Sequence, residues 1–253
     1  MSEKVSIILA AGGNPTGVVS FPDASKRQEY PSIAKEFMSS HSAVEQFGFI
    51  EGVDHFEMSG GEFCGNAARA AAWLIARKTG KQSGQFTMSG FSDMVSYQIF
   101  GDPNGSQVEV ECIFPNFQYT IRAPSFLDGH LVDLKGIVHL VLPSTAPFDP
   151  NPNAYQTLHR QAVKELGLEK CEAVGVIWQE IQPDKSIKIH PVVWVRGIDS
   201  FFYETACGSG TLAVLLANGA SRLQVVQPSE DVIKAEKREN ETLVLRSSMN
   251  EEH

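Results

Sequence analysis

The sequence predicts an α+β fold of two pseudo-symmetric domains, each built of strands wrapped around one central helix. Three observations carry that expectation. Ten short runs rich in β-branched and aromatic residues punctuate the chain, with turn chemistry such as "GDPNG" at residues 101–105 and "QPDK" at residues 182–185 between them. Two segments of helical length, residues 64–79 and 207–218, are apolar nearly all round, which marks helices buried on every side. Both begin on one plan: "EFCGNAARAAAWLIA" and "ETACGSGTLAVLLANG" share an upstream acidic residue, then Cys-Gly, a small polar residue and an apolar helix.

The predicted strands cover residues 5–11, 44–50, 85–88, 95–100, 108–114, 137–142, 173–178, 187–195, 223–226 and 242–245. Two further helices are expected. Pro31 suits the first turn of a helix over residues 32–39, and residues 154–166 carry apolar side chains at helical spacing before Gly167. The cysteine-led helices stop at Gly80 and Gly219, where a left-handed cap belongs. A loop-rich boundary over residues 115–124 divides the chain into an N-terminal half, 1–117, and a C-terminal half, 118–253, whose last strand is free to return to the first half.

A chain of 253 residues is long enough for one large domain or two small ones with a substantial core. With 42% hydrophobic and 20% charged residues it reads as an ordinary soluble globular protein. The net charge of −9, with no dense Lys/Arg cluster, argues against a nucleic-acid or anionic-membrane partner. "VSIILAAGG" is too short and too poor in preceding basic residues for a secretion signal and is expected to be a buried first strand. No stretch approaches the roughly 20 apolar residues that span a bilayer. The four cysteines, Cys64, Cys112, Cys171 and Cys207, form no CxxC pair and no zinc-ligand spacing, and the seven histidines show no HExxH pattern. A cytoplasmic protein without a catalytic metal is expected.

A helix N-terminus carries unpaired N–H groups and about half a positive charge. A thiol there is expected to ionise more easily than its ordinary value of about 8.5, and the same N–H groups can hold a carboxylate. Two such ends facing one cavity suit inversion at a carbon next to a carboxylate. One cysteine takes the α-proton from one face and the other delivers a proton to the opposite face. Free cysteines usually fill space, and Cys112 and Cys171 are read that way; Cys64 and Cys207 differ by their shared pattern at predicted helix starts. "GSGT" is followed by no lysine, as a phosphate loop requires.

With "NPTG" at residues 14–17, "EQFGFIE" at 45–51, "MSGGEFCGNA" at 58–67 and "ETACGSGT" at 204–211, the chain resembles the diaminopimelate epimerase-like superfamily, which includes proline racemases and phenazine-biosynthesis proteins. Within it the sequence is most similar to histidine racemases of staphylopine-type metallophore biosynthesis. The resemblance implies two domains closing over a small-molecule amino acid, with no cofactor and no metal, in a chain able to form a homodimer. It implies Cys64 and Cys207 as the acid/base pair, with backbone N–H groups of Gly65, Asn66, Gly208 and Ser209 on the α-carboxylate. Glu204 would lie near the substrate amino group, Glu45 where an imidazole N–H is accepted, and Asn14 within the substrate-binding set.

The departures bear on the substrate. Diaminopimelate epimerases usually carry His-Gly-x-Gly-Asn-Asp-Phe near the start and Glu-Arg-Gly before the second cysteine. Here "GGNPTGVV" and "WVRGIDSFFYETAC" stand instead, with Val195 in place of the glutamate beside Arg196. That favours a smaller or aromatic side chain, lined by Phe201, Phe202 or Tyr203. Phenazine-type relatives lack the cysteine pair, and proline racemases usually carry histidine where Asn66 stands. The expectation is a histidine racemase, with a diaminopimelate epimerase or proline-type racemase as alternatives. A thiol–disulfide redox protein and a non-catalytic amino-acid binder are the alternatives from other classes.

Overall fold

A helix enclosed on all sides by strands must be thin, and the alanine run of the first motif meets that requirement while also having the highest helix propensity. In the computed structural model, which describes residues 5–20 and 24–252, this run forms helix α2, Gly65–Thr79. Its residues from Gly65 to Ala76 are all buried. Around it stand β1 (Val5–Ala10), β2 (Gly13–Ser20), β3 (Gln46–Glu51), β4 (His55–Met58), β5 (Ser83–Met88), β6 (Phe91–Phe100) and β7 (Gln107–Phe114). The last strand, β16 (Thr242–Glu252), closes this ring. It pairs antiparallel with β7, Leu245 opposite Cys112, and with β1, Ile8 opposite Glu251. The far end of α2 is tied to β16 by Arg77, which pairs with Glu251 at 2.5 Å and lies over the Trp73 ring.

The second half repeats the arrangement around α4, Gly208–Ala217, whose residues from Gly208 to Leu216 are buried. Its strands are β8 (Thr120–Arg122), β9 (His130–Asp133), β10 (Val138–Val141), β11 (Ala173–Ile181), β12 (Ile187–Val195), β13 (Ser200–Tyr203), β14 (Arg222–Val226) and β15 (Val232–Arg238). They run in the order β8-β9-β10-β11-β12-β14-β15 and join β16, with β13 on β12. One core unites both central helices. Outside it, α1 (Tyr30–Ser40) covers an aromatic layer on β2 and β3, and α3 (Pro152–Glu165) covers a second apolar layer on β11 and β12.

All four expected helices are present, α1 with Pro31 in its first turn, and Gly80 and Gly219 take φ of 70° and 63° as left-handed caps. Sequence patterning missed β2, β4, β8, β9, β13 and β15: four of them, β4, β8, β9 and β13, are only three or four residues long, and the other two have physical reasons. Strand β2 contains Gly13, Pro15 and Gly17, residues that read as loop, yet it is buried between β1 and β3. Strand β15 is charged on its outer face, so "VIKAEKR" lacks the apolar density of a core strand. Strand β16 continues seven residues past the expected end at Leu245 because its polar half pairs on both edges, with β1 and β7. Among the described residues no helix is long and apolar enough to cross a membrane.

Candidate active site

Cys64 and Cys207 are the N-caps of α2 and α4, both with extended backbone, at φ −134° and −138°. Each sulfur takes the place of the usual cap oxygen and accepts the N–H three residues on, Ala67 at 3.3 Å and Gly210 at 3.2 Å. The helix starts touch. A Cβ added to Gly65 would lie 3.5 Å from Gly208 Cα, and one added to Gly208 would lie 2.9 Å from Asn66 Oδ1. Only glycine after each cysteine lets the two backbones approach this closely. The Asn66 side chain stitches the seam: Nδ2 donates to the Ala206 carbonyl at 2.9 Å, and Oδ1 accepts from the fully buried Arg69.

Beside the seam lies a small cavity of about 30 Å³. Its wall includes Glu45, Gln46, Glu62, Cys64, Glu204 and Ser209, together with Phe47, Phe63, Val195 and Phe202. Cys207, 1% exposed, lies behind this wall, with its sulfur 3.6 Å from Ser209 Oγ and the Glu204 carboxyl as its other polar neighbour. Ser209 is held from its other side by the buried His139, whose Nε2 is 3.0 Å away. Gln46 bridges the halves: its Nε2 donates to Glu204 at 3.1 Å, and its Oε1 accepts from the Cys64 thiol at 2.8 Å. Glu45 accepts from Thr205 Oγ1 at 2.7 Å and from Asn14 Nδ2 at 3.0 Å, and the Asn14 N–H donates to the same threonine hydroxyl at 2.6 Å.

The electrostatics depart from the expectation for thiols at helix ends. Burial pushes Cys64 up to about 12, although the N–H groups of Ala67 and Asn66 pull it down in part. Burial raises Cys207 well above its ordinary range, and Glu204 adds to this. Desolvation outweighs the helix-end field when a sulfur is sealed from water. Glu204 acts on both sulfurs, and is itself raised to about 8 by burial and by its neighbours Glu45 and Glu62. Burial also carries Glu45 and Glu62 up to about 7.

Sequence reasoning thus named Glu45, Cys64, Glu204 and Ser209 on the cavity wall, and Asn14, Gly65, Asn66, Cys207 and Gly208 in the layer behind it. Of the three aromatics expected to line the pocket, only Phe202 does. Phe201 packs on His159, and Tyr203 stacks with Phe148 on the outer layer. Strand alternation sends these neighbours to the face opposite Phe202. Arg196 pairs with Glu172 at the surface, 43% exposed. Gln46, Glu62, Thr205 and His139 were missed. Glu62 was within reach, since the repeated unit carries an acidic residue before each cysteine, whereas nothing near His139 in sequence marks it.

A strand ring around one buried helix, joined to a second helix-centred half, is a fold shared with known epimerases. The chain matches the structure of a predicted epimerase from Pseudomonas aeruginosa with a TM-score of 0.68 at 14% identity, over 100% of this chain and 98% of that one. The family described as "Histidine racemase CntK N-terminal domain" matches residues 13–248, and the chain belongs to it. A histidine racemase of Fusobacterium nucleatum is 27% identical over 244 residues, 90% of this chain and 89% of the relative. A diaminopimelate epimerase of Rickettsia africae is 27% identical over 276 residues, 98% of this chain and 95% of the relative. The protein is an isomerase of the racemase and epimerase type.

Proposed function

We propose that the protein is a cofactor-independent histidine racemase that inverts the α-carbon with Cys64 and Cys207 as its two acid/base residues. The observation that carries this is the meeting of two cysteine-capped helix starts beside one small cavity, with a single carboxyl group, Glu204, acting on both sulfurs. In this reading the substrate carboxylate lies against the N–H groups of Gly65, Asn66, Gly208 and Ser209, and its ammonium group pairs with Glu204. That pairing removes the part of the thiols' raised affinity for protons that comes from Glu204, burial supplying the larger part, and so brings a thiolate nearer. The thiolate takes the Cα proton and becomes a thiol. The electron pair left on Cα delocalises into the carboxylate, where the helix-end N–H groups stabilise it. The opposite thiol then gives its proton to the other face of Cα and becomes the thiolate, so one proton has entered and one has left.

The cavity, about 30 Å³, holds about two waters and no amino acid. Admission of substrate is read as a parting of the two helix-centred halves, β16 staying with the first, along the polar seam of Gln46–Glu204, Glu45–Thr205 and Asn66–Ala206 contacts. Among the described residues lining the cavity none is cationic, so nothing there answers the distal carboxylate of diaminopimelate, and histidine is favoured. The reading places the enzyme in the cytoplasm, as a chain able to pair into a homodimer.

Incubation with L-histidine in D2O should replace the α-hydrogen, read as loss of its NMR signal, while D-histidine appears on chiral chromatography. Exchange confined to diaminopimelate or proline in a parallel panel would move the substrate to that amino acid. Thiol-dependent turnover without exchange would make the protein a redox catalyst, and thermal stabilisation without exchange a binder.

A further inference from the structure

The cavity wall holds three carboxyl groups, Glu45, Glu62 and Glu204, and among the described residues lining it no cation. Their hydrogen bonds separate them. Glu204 accepts from Gln46 and belongs to the ammonium end of the site. Both oxygens of Glu45 already accept, one from Thr205 and one from Asn14, which spends this side chain on holding the seam shut. Glu62 is different: it is 8% exposed and lines the cavity, among donors only the backbone N–H groups of Gly60 and Glu62 itself act on its carboxyl, and its Oε2 has no hydrogen-bond partner. A Cβ at Gly60 would come within 2.4 Å of that oxygen, so glycine at 60 leaves the carboxyl the room it occupies.

A buried carboxyl oxygen without a donor is costly by about 1–3 kcal/mol, more if charged, and a site keeps one where a ligand supplies the donor. Three carboxyl groups around one small space also repel one another, and each is stabilised by a positive or N–H-donating ligand. A neutral apolar side chain supplies neither.

We propose that Glu62 is a specificity-determining residue that accepts an N–H of the substrate side chain, so that the cavity takes up histidine with its imidazole in the cationic, doubly donating form. The assignment rests on the racemase reading for the rest of the ligand, and it moves the principal side-chain acceptor from Glu45 to Glu62. Because an imidazolium carries one proton more than free neutral histidine, binding above pH 7 takes up a proton from solvent.

The test compares wild type and Glu62→Gln by steady-state α-hydrogen exchange of L-histidine in D2O across pH 6–9, with melting temperature recorded for both. The variant should show KM for histidine raised about tenfold with kcat little changed, because an imidazolium–carboxylate ion pair becomes a hydrogen bond to a neutral amide. The pH dependence of its KM should flatten, which a merely structural role would not produce. An unchanged KM and pH profile in a folded variant would overturn the assignment.

Should the variant not fold, wild type carries the test alone. Thermal-shift titration with L-histidine and with L-β-(2-thienyl)alanine, a ring of similar size without N–H, should show much weaker binding of the thienyl compound. Equal affinities would overturn the proposal. If wild type exchanged the α-hydrogen of no amino acid, the racemase reading would fail, while this pair of titrations would still decide whether the site selects an N–H donor.

Discussion

The starts of α2 and α4 share one local design and sit in different surroundings. Each has a cysteine N-cap, a glycine after it, and a sulfur accepting the third N–H of its helix. Around Cys64 the decisive neighbour is the Gln46 amide oxygen, which can only accept and so holds the sulfur as a thiol. Around Cys207 the neighbours are the Ser209 hydroxyl, itself held by His139, and the Glu204 carboxyl. A repeated sequence unit therefore yields two chemically unequal thiols. The inequality comes from side chains contributed by other elements: β3 supplies Gln46 and β10 supplies His139.

The sharpest way to break the comparison is to remove one sulfur at a time. Cys64→Ala and Cys207→Ala should each lower racemisation by about 100-fold or more, the usual contribution of an acid/base group. Both variants should remain folded by circular dichroism. Should either retain most of the wild-type rate, the two sites would not be partners in one reaction.

A smaller effect sharpens the inequality. Glu204→Gln should let both thiols ionise at lower pH, read as faster alkylation by iodoacetamide with mass spectrometry locating the adduct. The increase should be larger at Cys207 than at Cys64, because Glu204 acts on Cys207 through charge and hydrogen bonding and on Cys64 through charge alone. A larger response at Cys64 would reverse the assignment of environments.

The smallest effect concerns stability. Glu45 and Glu62 in the first half rise from 4.5 to about 7, and Glu204 in the second from 4.5 to about 8. The folded protein thus binds protons that the unfolded chain releases, and the stability this contributes is lost as pH rises through the folded values. His139, lowered from 6.5 to about 3, acts oppositely, its contribution being lost as pH falls below 6.5. The clean window therefore lies between about pH 6.5 and 8, where melting temperature should fall by a few degrees. Glu204→Gln should remove the upper part of that fall, and Glu45→Gln part of the lower, with Glu62 keeping the rest. A melting temperature rising across this window would contradict the buried-carboxyl account.

The helices were legible because their signals are local. Cys-Gly at each start, glycine at each stop and an apolar run between are properties of about one dozen neighbouring residues, and the structure reproduces all of them. Strands β2 and β15, like the short β4, β8, β9 and β13, were not legible, since what makes "GNPTGVVS" and "VIKAEKR" strands is pairing with partners rather than their own pattern. The candidate site divides in the same way. Motif residues such as Cys64, Asn66, Glu204 and Cys207 stand out in the sequence, while Gln46, Thr205 and His139 gain importance only through contacts reaching across the fold.

By itself the sequence determined that two cysteines would cap two buried helices, because capping, helix propensity and all-round apolarity depend on neighbours along the chain. Only the tertiary structure decided that these helix starts meet at Gly65 and Gly208, that burial raises both thiols, and that one oxygen of Glu62, Oε2, has no hydrogen-bond partner in the cavity wall. Burial and long-range charge set those properties, and both depend on which distant segments fold against a residue.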